Sequence, residues 1–445
     1  MISRILNLNF IYIISAVLFS VLVIFGYNKN SYLFNSGVEI IILNLIFIFV
    51  VINSHKDNIF LKFYIFYFYI FYLLNIFIVC LPGYDSYFIL KEGSIFQVNK
   101  SINTLSLHFF SIFVLIRFIF IKNKNILFDQ INNQNIFYLV LSCFILALLS
   151  IVSFYLISFS ISNSPILKIL SVIFSFDRIL LILVSILIIF WNKINFGLKI
   201  IIFFGIIFCI SFDFMNGSKS SIFFLFLALL FCFFYLNNTN HISMKIVIIF
   251  FTLILFSLVA FYLANNSLKN FRDMNDVMSL LYSFTIRIGF FEFYLDKNNS
   301  NAYIEVMNLI YNLKAYLDKI TPGFDPYGIP LMKNQLHFLW HYFENIYYRG
   351  VVSEQSTLFA LSNRIFNNYF IFYYFLIIIF FKILYDKIFF ISSEKKVILQ
   401  ISALYLFYIW LNGFGIDYFL MNITYHIIFL SILFTTCFAL KKIFK

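Results

Sequence analysis

Long apolar runs, separated by only a few polar residues, constrain this chain more than any other feature. The segment 136–161, IFYLVLSCFILALLSIVSFYLISFSI, holds no charged residue, and a membrane crossing needs about 20 such residues. Hydrocarbon offers backbone N–H and C=O groups no partner, so each run must close its own hydrogen bonds as a helix. Twelve such segments are expected, at about 5–26, 37–53, 59–81, 101–121, 136–161, 166–191, 197–213, 219–236, 244–264, 365–385, 396–414 and 418–440. The fold expected is therefore all-α, a polytopic transmembrane helix bundle. Charged residues make up 11% of the chain, against roughly 25% in a soluble domain. The first run follows a basic start, has no small-residue cleavage site and is too long for a signal segment, so it reads as an uncleaved helix. All five cysteines lie in apolar runs, which argues against a disulfide framework or a thiolate metal site.

Orientation follows from lysine and arginine in the short connections. With the N-terminus inside, the inner set is Arg4, Lys56, Lys62, Arg117, Lys122, Lys124, Lys193, Lys199, Lys245, Lys382, Lys387, Lys395, Lys396, Lys441, Lys442 and Lys445. The outer short connections hold Lys29, Lys91, Lys100, Lys168 and Lys219. This asymmetry predicts that both termini lie inside, and it accounts for the net charge of +12 without a nucleic-acid partner. Residues 1–264 then form nine spans and 365–445 three more. The intervening 265–364 lies outside as a helical cap, with a helical stripe at Ile304, Met307, Ile310, Leu313 and Leu317.

Several residues stand out against this background. DFMNGSKSS (213–221) becomes an outer turn between two spans. Lys219 there either snorkels as a helix anchor or joins Gly217 and Ser218 at a helix start to hold an anionic phosphate. Arg287 sits among apolar cap residues, and Arg272, Arg349 and Arg364 are further cations suited to bidentate phosphate contacts. His337 and His341, at i and i+4 around Trp340, share a helix face. The H-E-x-x-H pattern and a third ligand are lacking, so no metal is expected. Either histidine, or Glu354, could serve as a general base. Asp177 and Arg178 interrupt an apolar run near its middle, where ionisable groups are costly and mark either function or helix–helix bonding. Asn422 and His426 in the last run read as interhelical hydrogen-bonding residues.

The twelve runs, the late external segment and the Gly217-Ser218-Lys219 turn together resemble the Wzy-type polymerases of O-antigen and capsule repeat units. The Ser-rich stretch 353–370 matches that family's signature through Asn367 and Asn368, and departs from it by lacking the glycine. The resemblance implies a GT-C-like bundle in the bacterial inner membrane, both termini cytoplasmic and the cap periplasmic. It implies polyprenyl-pyrophosphate-linked donor and acceptor oligosaccharides, with the bilayer and a chain-length regulator protein as further partners and no cofactor. An acceptor hydroxyl would attack the donor's anomeric carbon and polyprenyl pyrophosphate would leave. Lys219 and Arg287 would stabilise the departing charge, a base among His337, His341 and Glu354 would take the proton, and the other cap arginines, Trp340, Asp177 and Arg178 would bind substrate. An O-antigen ligase, a lipid-linked oligosaccharide flippase and another transporter remain as alternatives.

Overall fold

The computed structural model describes residues 59–68, 108–109, 111–120, 133–158, 170–215, 220–236, 316–317, 370–387, 393–411 and 416–444. The expected spans 5–26, 37–53 and 244–264, and nearly all of the cap 265–364, lie outside the described residues. Among the described residues the secondary structure is helical and no strand occurs. The elements are α1 (Ile59–Phe68), α2 (Asn133–Ser158), α3 (Phe176–Ile189), α4 (Phe196–Met215), α5 (Ser220–Leu236), α6 (Phe370–Lys387), α7 (Ser393–Leu411) and α8 (Ile416–Ile443). Residues 111–119 are helical as well. Among the described residues three stretches are long and apolar enough to cross a membrane: Asn133–Leu156, Leu170–Ile189 and Phe419–Ile443.

The bundle is built around α3, which packs on α2, α4, α5 and α7. Its residues Arg178 to Ile186 are buried without interruption, as expected of a helix that is apolar all round and sits in a core. Its outer neighbours are two-faced in the opposite sense to a soluble helix. On α4, Ile200, Phe203, Phe204, Ile207 and Phe208 are exposed while Leu198, Ile202, Ile206 and Cys209 are buried. The exposed set recurs at the spacing of one helix face, which forms a continuous apolar stripe of the kind that meets lipid. Where α4 crosses α2, Gly205 permits close approach: a Cβ there would lie 2.6 Å from Phe144 Cζ and 3.4 Å from Leu183 Cδ1. Small residues at such crossings let helix backbones approach in the absence of a hydrophobic drive between helices.

The α3–α4 connection shows how the sequence sets a tight turn. Phe190 donates to Ile186 O at 3.1 Å, and Lys193 N and Ile194 N both return to Phe190 O, at 2.8 and 3.1 Å. Asn195 then caps α4, its Oδ1 accepting from Leu198 N at 2.9 Å, the third amide of the new helix. The other half of the molecule is held by aromatic packing. Phe381, Phe407 and Trp410 pack their rings against one another, with Phe60 against the two phenylalanines. The buried Trp410 indole donates to Tyr373 Oη at 3.1 Å, which satisfies its only polar atom.

Basic residues gather at one end of this bundle. Lys441 donates to Asn135 Oδ1 at 2.5 Å, joining the end of α8 to the start of α2. Lys395 lies over the Phe434 ring and Lys199 over Trp191, so each stem covers an aromatic face while its ammonium stays at the bundle's end. Lys382 covers Phe120 nearer the start of α8, since the adjacent Phe381 ring lies 6.3 Å from that of Phe419. Phe154, Phe176 and Phe212 meet at the other end: Phe212 lies 5.8 Å from Phe154 and 4.9 Å from Phe176, ring to ring.

Candidate functional site

The α3 segment does not run straight through, although the apolar run 166–191 predicts one helix. A short helical turn at 170–173 ends at Phe174, and α3 restarts after Ser175. Ser175 is extended, with φ −56° and ψ 141°, so the carbonyls of Val172 and Ile173 have no following helical amide. Unsatisfied carbonyls among apolar side chains cost several kcal/mol. Arg178, 3% exposed, supplies what is missing. Its Nη1 donates to Val172 O, to Ile173 O at 3.3 Å and to Ser175 Oγ at 3.1 Å. The serine hydroxyl therefore accepts from the guanidinium and makes no side-chain cap bond to the helix it precedes.

The same guanidinium reaches across the bundle. Arg178 Nη2 donates to Asn422 Oδ1 on α8 at 3.3 Å, so the discontinuous segment is tied to the last helix. Of the residues expected to bind substrate, Arg178 and Asp177 are the two that the structure describes. Arg178 is a buried bonding centre, and Asp177 lies in the first turn of α3, where the helix dipole favours an acid. The two sit beside a helix break and not within a continuous span. Gly217, Ser218, Lys219, Arg272, Arg287, His337, Trp340, His341, Arg349, Glu354 and Arg364 lie outside the described residues.

Two neighbours extend the arrangement. Met215 ends α4 and Ser220 begins α5, and Phe212 near the end of α4 lies 4.9 Å, ring to ring, from Phe176, two residues before Arg178. From the long hydrophilic segment, Tyr316 Oη is 2.9 Å from Thr424 Oγ1 on α8, two residues beyond Asn422. Thr424 Oγ1 is also 2.9 Å from Leu420 O, as a donor to it.

His426 follows Asn422 by one helical turn and is fully buried, its ring 5.1 Å from that of Tyr405 and 6.1 Å from that of Phe429. Neither of its nitrogens has a hydrogen-bond partner, and the same holds for Arg178 Nε. Asn422 makes the interhelical bond expected of it; His426 makes none, because the rings of Tyr405 and Phe429 pack around it. On α7, Gln400 and Ser402 are also buried, with their side-chain polar atoms unpartnered. Other hydroxyls in these helices bond back to the preceding turn, as Ser142 does to Tyr138 O at 2.7 Å. The sequence reading passed over Gln400 and Ser402; the signal was two polar residues inside the apolar run VILQISALYLFYIW.

Stacked apolar helices with outward aromatic and aliphatic faces around a buried cationic centre define a helical membrane protein. No protein-family model matches the chain, and neither a curated protein nor a solved structure matches it.

Proposed function

We propose that this protein polymerises polyprenyl-pyrophosphate-linked oligosaccharide repeat units, in the manner of the Wzy-type enzymes, at the outer face of a bacterial inner membrane. One structural observation supports the reading: the bundle is polarised. The described cations Lys199, Lys395 and Lys441 gather at one end, which the positive-inside rule assigns to the cytoplasm. The helix break, the end of α4 and Tyr316 of the long hydrophilic segment fall at the other. A pyrophosphate leaving group on a membrane-embedded lipid presents its charge at such a surface. On this reading Lys219 ends the connection directly before Ser220 opens α5, and Arg287 in the cap adds a second cation. Together they stabilise charge as the anomeric C–O bond to pyrophosphate breaks, while a base takes the proton of the attacking hydroxyl.

The test is the length of the surface glycan in cells carrying Lys219→Ala. Loss of one preorganised contact to developing charge lowers rate by roughly 10²–10³. The expected result is single repeat units on the lipid core in place of ladders, with Lys219→Arg retaining partial ladders because the charge remains. Unchanged ladders at normal protein level would leave Lys219 as a helix anchor only. Loss of all glycan from the core, single units included, would point to the ligase.

A further inference from the structure

The turn between α3 and α4 presents side chains that the two helices do not use for their own packing. Phe190, Ile194 and Leu198 are buried and pin the turn to the bundle, while Trp191 is 51% exposed and Phe196 76%. Lys193 N and Ile194 N both return to Phe190 O, and Asn195 caps α4. The exposed residues therefore stand on a backbone that is fixed. Lys199 reaches back from near the start of α4 and holds its Nζ 4.4 Å from the centroid of the Trp191 ring.

Helix length sets the depth of this turn. α4 has 20 residues, about 30 Å of helix, which matches the roughly 30 Å of hydrocarbon in a bilayer. Its start lies where acyl chains give way to headgroups, the depth at which amphipathic rings and snorkelling lysines settle. Here ring and ammonium are in contact, and Lys193 is exposed on the same turn. An ammonium has three N–H donors. Among the described residues no acidic side chain is ion-paired with Lys199, and the Trp191 ring attracts its charge without neutralising it. No aspartate or glutamate occurs in sequence between Asp177 and Asp213. Those two acids stand at the start of α3 and near the end of α4, the far end of both helices from the turn.

We propose that the α3–α4 turn seats the headgroup of an anionic phospholipid, with Lys199 and Lys193 on its phosphodiester and Trp191 and Phe196 beside the glycerol and upper acyl chain. Charge complementarity selects the lipid. A zwitterionic headgroup brings its own ammonium to offset the phosphate, whereas phosphatidylglycerol leaves the phosphate charge uncompensated. Each lysine at the membrane surface then favours the anionic lipid by about fivefold. The inference rests on the chain being a helical membrane protein and does not depend on the polymerase reading.

The experiment reads the lipid beside Trp191. The full chain is reconstituted into vesicles of phosphatidylcholine and phosphatidylglycerol in equal amounts, with bromine on the acyl chains of one lipid or of the other. Bromine quenches tryptophan fluorescence at contact, so the lipid enriched at the ring quenches more. Trp340 and Trp410 also emit, and subtracting the signal of Trp191→Phe isolates Trp191. The expected result is stronger quenching of Trp191 by brominated phosphatidylglycerol. Lys199→Gln lowers that preference by about fivefold, and Lys199→Arg, which keeps the charge over the ring, retains it. A lysine that only anchors its helix would leave the two lipids equal at the ring. Equal quenching in the wild type overturns the proposal, and so does an undiminished preference in Lys199→Gln.

Discussion

Arg178 is the residue on which most of the described architecture turns. It closes the carbonyls of a broken helix and ties that helix to α8. Two substitutions separate these roles. Asn422→Leu removes the interhelical bond and leaves the helix break capped, so its cost is about 1 kcal/mol, the usual range for hydrogen bonds between membrane helices. Arg178→Met also strands the Val172 and Ile173 carbonyls, so it costs more, roughly 1–3 kcal/mol beyond the first. Thermal melting in detergent checks the order; equal losses would mean that the break is not held by the guanidinium. The sequence made Arg178 conspicuous, because an ionised group within an apolar run is costly. Its partner was not legible: Asn422 is 244 positions away, and nothing local pairs the two. Nor was the break itself, since SVIFSFDR contains neither proline nor glycine and a serine alone does not stop a helix.

Among the elements, α2 and α8 were the most legible. The expected 136–161 and 418–440 fall on Asn133–Ser158 and Ile416–Ile443, because a long apolar run with polar ends has one stable form in hydrocarbon. Packing partners came less easily, since an amphipathic signal is weak when both the core and the lipid are apolar. Gly205 illustrates this: only the structure shows that α2 passes close by, with Phe144 filling the space a Cβ would need. Gly205→Leu overpacks the crossing and is expected to destabilise by about 1–3 kcal/mol, while Gly197→Leu, with open space around its α-carbon, changes little beyond helix propensity. A comparison of the two melting temperatures checks this, and equal effects would remove the close crossing from the account. At the α6–α7 contact, Trp410→Ala empties a fully buried site in an aromatic cluster, and a loss of about 3–5 kcal/mol is expected.

At the scale of the whole molecule the bundle has two unlike ends and an apolar girdle. Exposed Phe203, Phe204, Phe372 and Leu376 face outward where a soluble protein would place charge, and Lys199, Lys395 and Lys441 cluster at one end. The proposed function requires that the lysine end be cytoplasmic and that the long segment 265–364 and the 216–219 connection face the periplasm, where the lipid-linked donor and acceptor are used. Single cysteines in a cysteine-free background measure this directly. With an impermeant thiol reagent on intact spheroplasts, Ser300→Cys should be labelled, and Ser392→Cys, beside the start of α7, should react only after the membrane is opened. Labelling of Ser392→Cys with protection of Ser300→Cys in intact cells would invert the bundle and contradict the account.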